Sequence, residues 1–194
     1  MQRRLPHYLQ EIPFRLGDGA AAGEASPDPI DELRALAERG SAGAAHLLGL
    51  AYVRGQLVAR DLGEARRLQK QAAENGIVDA QFELSLLLAQ GLGGPVDTRG
   101  ARRWEERAAK AGHPRACLNR GARLARARRP DYAAVAQWYT RAADGGSAEA
   151  AARLCKMHLV GQGVARDQAT ARGWYARAAA LGYEWARDGA AATE

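Results

Sequence analysis

The chain has 194 residues, 28 basic and 22 acidic side chains for a net charge of +6, and an apolar fraction of 47% that holds only two Phe and four Trp. So little aromatic bulk excludes a thick aromatic core and favours closely spaced helices with alanine, the best helix former, at their contacts. No apolar run is long enough to span a membrane, and Cys117 and Cys155 form neither a CxxC pair nor a metal-ligand spacing. Nearly all the positive charge is arginine, since lysine occurs only at Lys70, Lys110 and Lys156.

Residues 1–27 read as an arm and linker. The basic start Met-Gln-Arg-Arg is followed by Pro6, Glu11 and Pro13 rather than an apolar signal core, so the expected location is cytoplasmic. Leu5, Tyr8, Leu9 and Ile12 share one face of a short amphipathic helix, and Gly17 to Ser26 follows as a flexible stretch. This arm is expected to dock on the rest of the chain or to engage a partner. Residues 28–39 then predict a lone capping helix, with Asp28 as N-cap and Pro29 in the first turn.

From there glycine returns on schedule at Gly40, Gly76, Gly112, Gly146 and Gly182, with intervals of 36, 36, 34 and 36 residues. A period of this size marks a solenoid of one repeated supersecondary unit. The units span 41–76, 77–112, 113–146 and 147–182. In a first helix, the fourth residue after each glycine is always alanine (Ala44, Ala80, Ala116, Ala150) and the ninth is small (Gly49, Ser85, Gly121, Cys155). Leu48, Leu84 and Leu154 stand at the eighth position, so one stripe faces the neighbouring helices, and at its small residue another helix backbone is expected to come close.

A glycine-containing turn follows and closes on Asp61, Asp97 or Asp167, each placed to cap a second helix. That helix carries Ala65, Ala101, Val135 or Ala171, then Leu68, Trp104, Trp138 or Trp174 three residues later, and ends in an Ala-Ala pair before the next glycine. The recurring glycine suits a left-handed C-cap. The third unit departs from the rule. Its turn is Ala127-Arg128-Arg129-Pro130-Asp131, and Arg120 occupies the leucine position, where it must snorkel or find a partner. Residues 183–188 predict a C-terminal cap, and 189–194 a tail.

The fourth unit, through Gly161-Gln162-Gly163-Val164, Asp167, Ala171, Trp174-Tyr175, Ala178-Ala179 and Gly182, resembles the Sel1-like repeat, a relative of the tetratricopeptide repeat. The first unit matches through Leu48-Gly49, Tyr52, Gly55, Asp61 and Ala72-Ala73, the second through Leu84, Gly91, Asp97 and Trp104, and the third through Gly121, Trp138-Tyr139 and Ala142-Ala143. The resemblance covers about residues 30 to 188. It implies an all-α, right-handed α-solenoid of stacked antiparallel helix pairs, whose first helices line a concave face, and a role as adaptor or scaffold.

By analogy with the tetratricopeptide arrangement, the candidate groove residues are His46, Leu50, Arg54, Phe82, Glu83, Leu86, Arg115, Asn119, Arg126, Arg153 and Lys156. They make a mixed apolar and charged groove suited to a peptide or a partner helix. No GxSxG, phosphate-loop or dinucleotide fingerprint is present, and His7, His46, His113 and His158 fall at unrelated repeat positions. The expectation is therefore a non-catalytic protein with no cofactor and no metal. Eleven basic residues between Arg99 and Arg129 face only Glu105 and Glu106, which points to an acidic protein partner ahead of nucleic acid, because no stacking aromatics accompany them. The alternatives are that ligand or nucleic acid bound through 99–129, or the β-lactam-type hydrolysis that the resemblance admits. A Ser or Cys beside a groove histidine would favour hydrolysis.

Overall fold

The computed structural model describes residues 28–184, so the expected arm at 1–27, the tail at 189–194 and most of the expected C-terminal cap lie outside the described residues. The described elements are α1 (Pro29–Glu38), α2 (Ala42–Arg54), α3 (Leu62–Glu74), α4 (Val78–Gln90), α5 (Thr98–Lys110), α6 (Pro114–Ala125), α7 (Tyr132–Asp144), α8 (Ala148–Val160) and α9 (Gln168–Ala180). Each helix packs on the one before and the one after it. Short turns therefore fold α2/α3, α4/α5, α6/α7 and α8/α9 into antiparallel pairs, stacked as an α-solenoid with α1 against α2.

The helix ends follow from the sequence. Asp61, Asp97, Asp131 and Asp167 accept hydrogen bonds from the amides of Glu64, Gly100, Ala134 and Ala169 at 3.0, 2.8, 3.0 and 2.9 Å. Ser41, His113 and Ser147 cap the first helices in the same way, through Ala44, Ala116 and Ala150. Each such cap is worth about 1 kcal/mol. The second helices stop where the recurring glycine turns left-handed: the amide after it reaches back five residues, as from His113 to the Ala108 carbonyl at 2.9 Å.

Alanine at the fourth position is at most 5% exposed in every unit, and Leu48, Leu68, Leu84 and Leu154 are fully enclosed. The small ninth residue admits a side chain of the paired helix rather than the backbone expected there. A Cβ on Gly121 would stand 2.6 Å from the Tyr139 ring, and one on Gly49 would stand 2.8 Å from the Gln69 side chain. Side chains also stitch successive units together through carbonyls at helix C-termini, each of which already accepts the amide of the recurring glycine. Gln71 donates to Ala37 O and Arg177 to Ala143 O, both at 2.9 Å, while Gln81 donates to Ala73 O at 3.3 Å and Cys117 to Ala109 O at 3.2 Å.

The third unit solves its irregularity locally. Helix α6 ends on Arg126 in a right-handed conformation rather than on a left-handed glycine, and Asp131 caps α7 directly. Arg120 pairs with Glu106 at 2.6 Å and lies 6.0 Å from the Trp138 ring, while Arg123 pairs with Glu105. Both acids of the basic segment are thus spent inside the α5–α6 contact. The periodic tryptophans are half-buried packing residues, and each carries an arginine over its ring one turn later: Arg107 on Trp104, Arg141 on Trp138 and Arg177 on Trp174, at 5.2, 5.0 and 5.4 Å.

Candidate functional site

The three first helices α2, α4 and α6 wall a recess of about 360 Å³, lined by His46, Leu50, Asp79, Phe82, Glu83, His113, Pro114 and Arg115. Its position follows from the repeat, since residues one turn apart on each first helix project from the same face. Five of the expected groove residues meet here: His46, Leu50, Phe82, Glu83 and Arg115. Farther along the stack, Asn119, Arg126 and Arg153 share a second recess with Leu118 and Glu149, and Arg153 and Lys156 share a third with Tyr139 and Met157. Leu86 is half-buried against the same apolar cluster as Phe82. Arg54 stands on the last turn of α2, within Coulombic reach of Glu83.

The recess has an apolar floor, with Leu50 and Phe82 buried, and polar walls held from behind. His46 Nδ1 meets Gln69 Oε1 at 2.9 Å, and the Gln69 amide returns a bond to the His46 carbonyl at 3.1 Å. The His113 ring stacks on Phe82 with centroids 4.3 Å apart, and its Nε2 stands 3.6 Å from Asp79 Oδ1. Its Nδ1 accepts the Ala116 amide proton, which requires the neutral ring with its hydrogen on Nε2. Burial pushes the His113 pKa down, and Asp79 pulls against it. Burial pushes the Glu83 carboxyl up, with His46, Arg54 and Arg115 opposing. Among the described residues no hydrogen bond or ion pair holds that carboxylate.

His113 and Pro114 escaped sequence reasoning. The signal was available, because the residue after each recurring glycine is the N-cap of a first helix, and a histidine there projects from the start of α6 toward α4.

Ser85 Oγ donates to Phe82 O at 2.6 Å and Cys117 Sγ to Ala109 O, while burial pushes the Cys117 and Cys155 thiols up, away from the reactive thiolate. Among the described residues no group of three or more His, Cys, Asp or Glu is placed to hold a metal ion, and no helix is long and apolar enough to cross a membrane.

Comparisons with known proteins agree with this architecture. A Sel1 repeat protein from Oxalobacter formigenes is 32% identical, with a TM-score of 0.77 and coverage of 85% of this chain and 48% of that one. The protective antigen c5321 of uropathogenic Escherichia coli, which displays the same repeat fold, is 32% identical, with a TM-score of 0.70 and coverage of 82% and 34%. An exopolysaccharide production negative regulator of Rhizobium meliloti (strain 1021) is 46% identical over 57 residues, 29% of this chain and 21% of its own length. The chain therefore spans less than half the length of each of these relatives. The Sel1 repeat pattern matches residues 42–77, 78–113, 126–147 and 148–183, and its third match starts only at Arg126, leaving α6 and Arg120 outside it. Matched unit by unit over more than half its length, the chain belongs to the Sel1 repeat family.

Proposed function

We propose that this chain is a non-catalytic adaptor that holds a segment of a protein partner along the face formed by α2, α4, α6 and α8. The observation that carries this reading is the recess shared by three consecutive units. Leu50 and Phe82 give it an apolar floor, and charged side chains sit at its mouth. A solenoid buries its own surface only between neighbours, which leaves such a face available along its length. A peptide or helix laid across it would gain apolar contact from the floor and orientation from the charges.

The stretch shared with the Rhizobium meliloti regulator is only about one and a half repeat periods. It supports the shared repeat, and a regulatory role for this chain would follow only through the protein it holds.

The reading is tested by affinity capture from the native host, comparing wild type with Asn119→Trp, which fills the face from an exposed position, and with Arg103→Trp on exposed α5. Retained helical circular dichroism shows that both variants fold. Loss of captured protein in Asn119→Trp alone supports the reading, and identical capture by all three chains overturns it.

A further inference from the structure

The charged groups of the first-helix face change along the stack, with Asp79 meeting only the neutral His113 ring at 3.6 Å among the described residues. At the α4 end stand two carboxylates. The Asp79 side chain is 71% exposed, and the half-buried Glu83 has no hydrogen bond or ion pair from the described residues. At the α6–α8 end the carboxylates are already spent: Glu105 is taken by Arg123 and Asn119, and Glu149 by Arg153 at 2.6 Å. What is left there is basic. Arg126 and Lys156 are exposed, with no carboxylate paired to either among the described residues. Arg115 lines the same recess as the two carboxylates and, with Arg54, partly offsets the Glu83 charge.

Resting on the adaptor reading above, we propose that the partner is a protein segment of complementary polarity. One basic side chain lays its apolar stem on Leu50, Phe82 and Pro114 and presents its head to Asp79 and Glu83. A carboxylate farther along the same segment meets Arg126 and Lys156. Packed helices lie roughly 10 Å apart, so α4 and α8, two units apart, are separated by about 20 Å. An extended chain covers that distance in about six residues. The mixed signs argue against a uniform polyanion, since a phosphate backbone crossing the whole face would meet the Asp79 and Glu83 carboxylates at one end. They suit a partner whose orientation is fixed by charge, because the reversed segment would set like charges against each other at both ends.

Two features make the acidic end more than a solvated surface. Glu83 lies over a recess rather than on a convex helix face, and its desolvation is a standing cost that an incoming cation relieves. The Lys156 end has a matching apolar neighbourhood in Tyr139 and Met157.

The test is selection of a random twelve-residue peptide display library on the full chain, followed by affinity measurements on the enriched peptides. The expected peptides carry a basic residue about six positions from an acidic one. Glu83→Gln and the pair Arg126→Glu with Lys156→Glu should each weaken them at least tenfold. The pair should be rescued by the same peptide with its acid replaced by lysine. Enriched peptides that ignore these charge changes but lose binding in Asn119→Trp overturn the polarity and leave the adaptor reading standing. Peptides indifferent to Asn119→Trp as well, or no enrichment at all, overturn both.

Discussion

Leu57 is the one non-glycine residue at positive φ among the described residues, at φ 66°, and its counterparts in units two and four are Gly93 and Gly163, at φ 73° and 72°. Those glycines are enforced by a neighbour. A Cβ on Gly93 would fall 1.9 Å from the carbonyl oxygen of Leu62, at the start of α3, and one on Gly163 would fall 2.3 Å from the backbone of Tyr132, at the start of α7. In unit one the preceding second helix, α1, begins three residues later relative to its glycine than α3 does, and Leu57 is 85% exposed.

Replacing Leu57 with glycine should relieve about 1–2 kcal/mol of left-handed strain. It costs about 0.4–1 kcal/mol through the freer unfolded chain, and almost no burial is lost. The expected net gain is about 0.5–1 kcal/mol, or roughly 2–3 °C in Tm. Gly93→Ala carries the same strain plus overlap with fixed backbone, for an expected loss of about 2–4 kcal/mol. Urea unfolding followed by circular dichroism reads both, with unchanged m required for the comparison. A lower midpoint for Leu57→Gly, or a loss below about 0.5 kcal/mol for Gly93→Ala, would refute the claim that inter-unit contact, rather than turn chemistry alone, selects the glycine.

Leu84→Ala removes a side chain only 1% exposed and should cost about 2–5 kcal/mol in the same urea assay. Arg120→Leu restores the leucine of the other units but gives up a half-exposed ion pair with Glu106, so its urea midpoint should move by less than about 1 kcal/mol. A larger loss would show that the third unit depends on that pair. The His113 pKa is lowered on folding, so the stability it contributes is complete above the ordinary imidazole value of about 6.5 and is lost as pH falls through the depressed one. The raised Glu83 carboxyl acts in the opposite sense at more acidic pH. Between about pH 7.5 and 5.5, Tm should therefore fall more steeply for wild type than for His113→Asn, which keeps a cap acceptor, and parallel curves would remove His113 from the account.

The fold was legible because one short rule is stated four times. The glycine marks where each second helix ends, Ala80 and Ala116 predict contact where they stand, and Asp61, Asp97 and Asp167 predict the caps that form. Gly121 was placed as a close-approach residue by size alone, and the Tyr139 ring occupies the space its side chain would need. The groove was less legible. Helical period puts Asp79 and Glu83 on one face, but only the stacking of units brings His113 onto Phe82 and sets Asp79 against its ring. Charge was the least legible feature. Counting from Arg99 to Arg129 shows a basic run, yet Glu105 and Glu106 neutralise Arg123 and Arg120 across α5 and α6. The surplus that remains on the first-helix face is fixed by those pairings, which no linear count contains.

The adaptor reading is tested most directly by placing a photo-crosslinking benzophenone side chain at Asn119 in one chain and at Arg103 in another, then irradiating each in the native host. A discrete protein adduct is expected from Asn119 and none from Arg103. Adducts of equal yield from both positions, or from Arg103 alone, would contradict it.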